Sequence, residues 1–82
     1  MTDLEWKLFV QNLNVGHKHG TNGDYLHEMV SRVYLAFPDA QIKESVAGYN
    51  GRIVHAVSMQ CEGRELGFHV ELPLTGVWKG KA

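Results

Sequence analysis

Hydrophobic and polar residues alternate along the second half of the chain, in three runs separated by two turns. The turns are Asn50-Gly51 and Glu62-Gly63. Asn-Gly between alternating runs is the strongest short-range signal of a β-hairpin, because a type I′ turn needs positive φ at both central residues. The pattern therefore predicts three antiparallel strands in a meander.

Both turns predict one common register. A two-residue loop at each turn places Tyr49 opposite Arg52 and Cys61 opposite Arg64. Counting outward from the two turns collects the same apolar face, which consists of Ile42, Val46, Ile53, Val57, Met59, Leu66, Phe68, Val70 and Leu72. A slip of one residue in either hairpin would destroy this agreement, so the register is strongly specified.

The first half of the chain gives one ambiguous and one clear element. Residues 4–10 alternate and predict a strand, although Thr2 and Glu5 have the spacing of a helix capping box. The strand is favoured because a helix would place Leu4 and Leu8 on the side away from its other apolar residues and leave no polar face.

A glycine-rich loop, residues 16–23, precedes a predicted helix from about Asp24 to Phe37. Thr21 or Asp24 can cap it, and Pro38 ends it. Its apolar stripe is Leu26, Met29, Val30, Val33 and Phe37.

The resulting prediction is a single α+β domain over residues 1–82, with a loosely ordered tail at 74–82. The element order is β-α-β-β-β, in one mixed four-stranded sheet with one helix packed on one face. The first strand is expected to run parallel to an outer strand of the meander, after a right-handed crossover. Which outer strand it joins is left open.

Composition narrows the classes of partner. A formal net charge of −1 is too close to neutral for a duplex-DNA binder that depends on phosphate contacts, or for an acidic mimic of DNA. The single cysteine, Cys61, cannot form an internal disulfide and is typical of a reducing compartment. Neither a signal peptide nor an apolar run of about 20 residues is visible, so a cytoplasmic protein is expected.

One helix covers one side of a sheet, so the opposite face is predicted to be open. That face collects small residues at its centre, which are poor formers of solvent-exposed strands and therefore indicate close approach by a partner. The expected contact residues are Tyr49, Arg52, Val54, Ala56, His69 and Trp78.

Three occupants of this face remain open. The chain's own tail can fold over it through Trp78, since an exposed tryptophan is usually buried somewhere. Another protein, or a second copy of the chain, can pack on it. Single-stranded nucleic acid can stack on Tyr49 and Phe9, although Glu65 and Glu71 share the face and oppose a polyanion.

A further candidate is a metal site. His17 and His19, with His27 from the following helix, can supply three ligands to zinc. The alternative is a solvated loop whose histidines bind nothing, and the ammonium of Lys18 favours that alternative. No other cofactor is predicted.

Catalysis is not expected. His55 falls on the apolar face with Glu44 diagonally near, which is typical of a core histidine held by one hydrogen bond and less often of a pH-sensitive residue. Cys61 lies about 20 Å away from His55 in extended chain, so the two cannot form a nucleophile–base pair.

The sequence therefore predicts a small non-catalytic binding or inhibitor protein that acts by protein–protein contact through the open sheet face. Stand-alone chains of this size without catalytic residues are often regulators, toxin-antidote partners, or phage inhibitors of host machinery. A single-stranded nucleic-acid-binding module and a metal-binding protein are the alternatives.

Overall fold

The computed structural model describes residues 1–16 and 20–78, in which two helices precede a three-stranded antiparallel sheet. The strands lie in the order β1-β2-β3, so β2 is central and the other two are edges. The elements are α1 (Asp3–Asn12), α2 (Asn22–Ala36), β1 (Gln41–Tyr49), β2 (Arg52–Cys61) and β3 (Arg64–Glu71). The fold is α+β as predicted, but the mixed four-stranded sheet is wrong, because the first element is a helix.

The predicted register of the meander is confirmed. Tyr49 pairs with Arg52, and Cys61 pairs with Arg64. Both central residues of each turn have positive φ, between 50° and 82°, as type I′ turns require. On the predicted apolar face the helices bury four residues and half-bury two, and they leave exposed Val46, Ile53 and Leu72.

The segment predicted as a first strand is α1, and the capping box explains why. The Thr2 hydroxyl accepts from the Glu5 backbone N–H at 3.1 Å, and the Glu5 carboxylate accepts from the Thr2 N–H at 2.8 Å. This backbone hydrogen bond lowers the pKa of Glu5. Two otherwise unsatisfied donors are thereby paired at the start of the helix.

The strand prediction was wrong because a helix at this position does not need a polar outer side. In the structure Trp6, Phe9 and Leu13 turn toward the core, while Leu4 and Leu8 remain exposed. The spacing of these inner residues places them on one helical face. The helix therefore forms with apolar residues on both sides, and one of those sides faces solvent.

Helix α2 agrees with its prediction except that it begins two residues and ends one residue earlier. Thr21 is the N-cap, and its hydroxyl accepts from the Asp24 N–H at 3.1 Å. Phe37 follows the last helical turn, immediately before Pro38. All five residues of the predicted stripe are buried: Leu26, Met29, Val30, Val33 and Phe37.

An aromatic cluster joins α1 to α2 and β3. Trp6, Phe9 and Phe37 have ring centroids 5.4–5.9 Å apart. The Arg64 guanidinium lies 5.7 Å from the Trp6 ring centroid and contacts the Asp3 carboxylate at 2.7 Å. Helix α1 is thereby placed beside β3.

The segment after β3, residues 72–78, folds onto the first turn of α2. The Gly23 N–H donates to the Thr75 carbonyl at 2.7 Å, and the Asp24 carboxylate accepts from the Val77 N–H at 3.0 Å. The Asn22 amide donates to the carbonyl of Pro73 at 3.1 Å. The predicted tail therefore contacts the helix layer as far as residue 78, and residues 79–82 lie outside the described residues.

We expect Gly23→Ala to destabilise the protein, although alanine normally stabilises a helix relative to glycine by about 1 kcal/mol. Gly23 is buried, and a Cβ there would overlap the Thr75 carbonyl. Urea denaturation monitored by tryptophan fluorescence should give a lower midpoint for Gly23→Ala than for wild type.

Gly48→Ala is the matched control, because a Cβ at Gly48 meets open space. Its midpoint is expected to equal or exceed that of wild type. A stabilised Gly23→Ala variant would contradict the packing of residues 72–78 on α2.

Candidate functional site

The sheet face turned away from the helices, here called the outer face, carries no described helix or tail segment. Its members are those predicted from the register: Lys43, Ser45, Ala47, Tyr49, Arg52, Val54, Ala56, Ser58, Gly67, His69 and Glu71. As far as residue 78, the chain's own tail is thus not the occupant of this face.

The outer patch, defined as Tyr49, Arg52, Val54, His69 and Glu71, is a group of side chains on this face that contact one another or line one pocket. The Tyr49 and His69 rings lie 5.1 Å apart between centroids, at 53°. Tyr49 belongs to β1 and His69 to β3, and these two edge strands lie about 9.6 Å apart on either side of β2. The two rings therefore meet above the central strand. Val54 lies there and is only 5% exposed, although it faces away from the core.

An ion pair closes the same patch on its side near the first turn. The Arg52 guanidinium donates to the Glu71 carboxylate across β2 and β3. Both side chains are largely exposed, so the pair adds little to folding stability and stays accessible to a partner. The patch thus presents an aromatic ring, a cation and an anion around one apolar floor residue.

Small residues extend the floor away from the patch. Ala56 pairs with Ser45 on one side and with His69 on the other. Ser58 pairs with Gly67, which carries no side chain. These residues form a shallow depression that adjoins the His69 ring. Five of the six predicted contact residues, all except Trp78, therefore lie on one continuous surface.

Trp78 lies on the opposite side of the sheet, so its predicted place on the outer face is wrong. Its indole N–H donates to Glu44 Oε1 at 3.0 Å, and His55 Nε2 lies 2.9 Å from the same oxygen. Glu44 belongs to the helix-covered face because it pairs with Val57. The tail was misplaced because its position depends on a distant carboxylate, which no local pattern reveals.

His55 has the environment predicted for a core histidine. It pairs with Val46 and Val70, and its ring is mostly buried while bonded to Glu44. The Glu44 carboxylate satisfies the ring nitrogen Nε2, which faces the protein. The pH-sensitive role of His55 stays a prediction.

The zinc site stays a prediction, because only one of its three ligands belongs to the described residues. His27 is exposed on α2, and His17 and His19 lie outside the described residues. Within residues 1–16 and 20–78, no group of three histidine, cysteine or acidic side chains has metal-binding geometry.

Cys61 is completely buried. Burial raises the pKa of its thiol, and the neighbouring Glu62 carboxylate raises it further. A thiol held neutral in the core is a poor nucleophile, so Cys61 serves packing.

Sequence reasoning missed two of the contacts described above. Glu71 was considered as a charge that repels nucleic acid. The predicted register already placed it opposite Val54, and therefore diagonally across from Arg52 on the same face. The Glu44 carboxylate as a shared acceptor was also missed, because its second donor, Trp78, comes from a segment without periodic pattern.

His55→Leu is expected to change the unfolding free energy by less than about 1 kcal/mol, because added apolar burial offsets one lost hydrogen bond. Glu44 keeps the Trp78 donor and access to water. Urea denaturation of both proteins at pH 7 provides the measurement. A much larger loss would show that the His55–Glu44 bond is essential to the fold.

Acid should release the contact between Asp24 and the tail. Hydrogen bonds from Val77 and Thr21 lower the pKa of Asp24. A group whose pKa is lower in the folded state stabilises that state at neutral pH, and this contribution disappears as the pH falls below about 4. The urea midpoint of Asp24→Asn should lie below that of wild type at pH 7, and the two should converge at low pH.

Asp39→Asn, at an exposed carboxylate outside the tail contacts, serves as the control and should follow wild type throughout. A constant difference between Asp24→Asn and wild type across this pH range would contradict the assigned role of the Asp24 charge.

No family model, curated protein or solved structure matches this chain. Neither described helix is long and apolar enough to cross a membrane.

Proposed function

We propose that this protein is a non-catalytic binding protein that contacts another protein through the outer face. The observation that carries the proposal is the outer patch, in which Tyr49 and His69 meet above a buried Val54 on a face that no described helix covers. Covering a working surface of the partner would make the protein an inhibitor or regulator of that partner.

The residue types in the patch support a protein partner. Tyrosine and arginine are enriched among the few residues that provide most of the binding energy in protein interfaces. Here Tyr49 contacts His69, and Arg52 is paired with Glu71. Side chains that are already placed lose less conformational entropy on binding, which favours affinity.

Single-stranded nucleic acid has less support. Of the two residues expected to stack with bases, Phe9 packs against Trp6 and Phe37 in the helix layer. Tyr49 remains, but the Glu71 carboxylate stands in the same patch and repels phosphates. A mixture of opposite charges around an apolar floor suits a protein surface better.

The double variant Tyr49→Ala/Arg52→Ala should weaken partner binding by about tenfold or more, because it removes both anchors. Its unfolding free energy should change by less than about 1 kcal/mol, since both side chains are exposed. The partner is first captured from the native host with tagged wild-type protein and identified by mass spectrometry. Binding of the purified partner is then measured for each variant by calorimetry.

Leu35→Ala is the control, because Leu35 is among the most exposed apolar residues and lies on α2, away from the outer face. It should bind like wild type. Equal binding by the double variant would contradict the proposal, and a collapse of its stability would assign Tyr49 and Arg52 to the fold instead.

A further inference from the structure

The two edges of the sheet differ in how they are covered. The β3 edge lies beside α1, tied through Arg64 to Asp3, and its Glu71 carbonyl accepts a hydrogen bond from Asn22. The β1 edge is more open among the described residues: the Trp78 indole contacts the Glu44 side chain on the helix-covered face, and eight of the nine β1 residues are exposed. An uncovered strand edge is a template for pairing with another strand.

The hairpin geometry determines which residues of β1 offer their backbone outward. In a two-residue hairpin the residues flanking the turn, here Tyr49 and Arg52, bond to each other. The backbone N–H and C=O groups of odd-numbered β1 residues therefore bond to β2. Those of even-numbered residues point outward from the edge of the sheet, in the plane of its strands. The Leu72 N–H donates to the Ile53 carbonyl at 3.2 Å, as the same alternation requires in the second hairpin.

The residues whose backbone groups point outward from the edge are Ile42, Glu44, Val46 and Gly48. Two copies of β1 can pair antiparallel about a two-fold axis, and charge selects the position of that axis. An axis at Glu44 opposes two carboxylates, and an axis at Ser45 sets Val46 against Glu44. An axis at Val46 opposes the two valines and sets Glu44 against Gly48, which has no side chain to obstruct it.

We propose that two copies of this chain pair through β1 about an axis at Val46. Three strands from each copy then form one six-stranded antiparallel sheet. Val46 is 62% exposed in the single chain, and the pairing would cover it with its own symmetry mate. An axis moved toward the first turn leaves fewer residues in the ladder, so this register also keeps most of β1 paired.

The pairing would also complete the outer patch. With the axis at Val46, Lys43 of the second copy lies opposite Tyr49 on the outer face. The alkyl stem and ammonium of that lysine would flank the aromatic ring of the patch. This consequence rests on the proposed function of the outer face, whereas the pairing itself rests only on the β1 edge.

Val46→Lys tests the pairing, because it sets two ammonium groups against each other at the axis. Ile53→Lys is the matched control, since Ile53 has the same 62% exposure on the same face but lies on the central strand. Sedimentation velocity and native mass spectrometry should show a concentration-dependent dimer for wild type and Ile53→Lys. The dissociation constant of Val46→Lys should rise by about tenfold or more.

Cysteine cross-linking tests the register without depending on affinity. Cα atoms of directly opposed, hydrogen-bonded residues lie about 5.5 Å apart, within reach of a disulfide. Oxidised Val46→Cys should form a covalent dimer. Ile53→Cys should not, because its two copies would lie more than about 14 Å apart. Wild-type Cys61 is buried and should stay reduced.

Purified wild-type protein that is monomeric at every concentration would overturn the pairing, as would Ile53→Cys cross-linking as fast as Val46→Cys. These assays need no partner. A Tyr49→Ala/Arg52→Ala variant that loses its partner but still dimerises would leave both inferences standing. A monomeric wild type that still binds its partner would remove only the pairing.

Discussion

Positive φ at both central residues of two short turns determines where every strand residue points. Asn50, Gly51 and Gly63 adopt this backbone easily, whereas Glu62 carries a Cβ that disfavours it by about 1–2 kcal/mol. Once the turns are two residues long, the pairing of all three strands follows, and with it the division of side chains between two faces. The buried core, the outer patch and the outward backbone of β1 all depend on this count.

The helices use only part of the apolar face that the turns create. Val57, Met59, Leu66 and Phe68 are buried beneath them, and the tail fixes the first turn of α2 in place through Gly23. Toward the first turn the same face continues without cover from the described residues, and Val46, Ile53 and Leu72 are exposed there. A sheet that is longer than the helices packed on it leaves both an apolar end and an open edge, and these are the features that make contact with a second molecule favourable.

The sequence was sufficient for the meander because two independent local signals, turn chemistry and a period of two, agree there. It was sufficient for α2 because five apolar residues at intervals of three and four form one continuous stripe only in a helix. It failed for α1, where the capping box of Thr2 and Glu5 was given less weight than an alternation that a short apolar helix also produces. Local hydrogen bonds at the N-terminus decided the outcome in favour of the helix.

The candidate site divides along the same line. Residues placed by the register, such as Tyr49, Val54 and His69, were predicted together and lie together. Trp78 was expected on the outer face because an exposed tryptophan is usually buried somewhere, but its indole donates to Glu44 on the other side of the sheet. A segment without periodicity is positioned by whichever distant groups satisfy its donors and acceptors, and single-sequence patterns do not encode those groups.

Alternation along β1 also explains how one strand can serve two contacts at once. Odd-numbered residues such as Tyr49 direct their side chains to the outer face and their backbone groups to β2. Even-numbered residues such as Val46 direct their side chains to the helix side and their backbone groups outward. Binding through the outer patch therefore involves side chains, whereas pairing at the edge involves backbone N–H and C=O groups. Because the two contacts involve different atoms of β1, both can form at the same time.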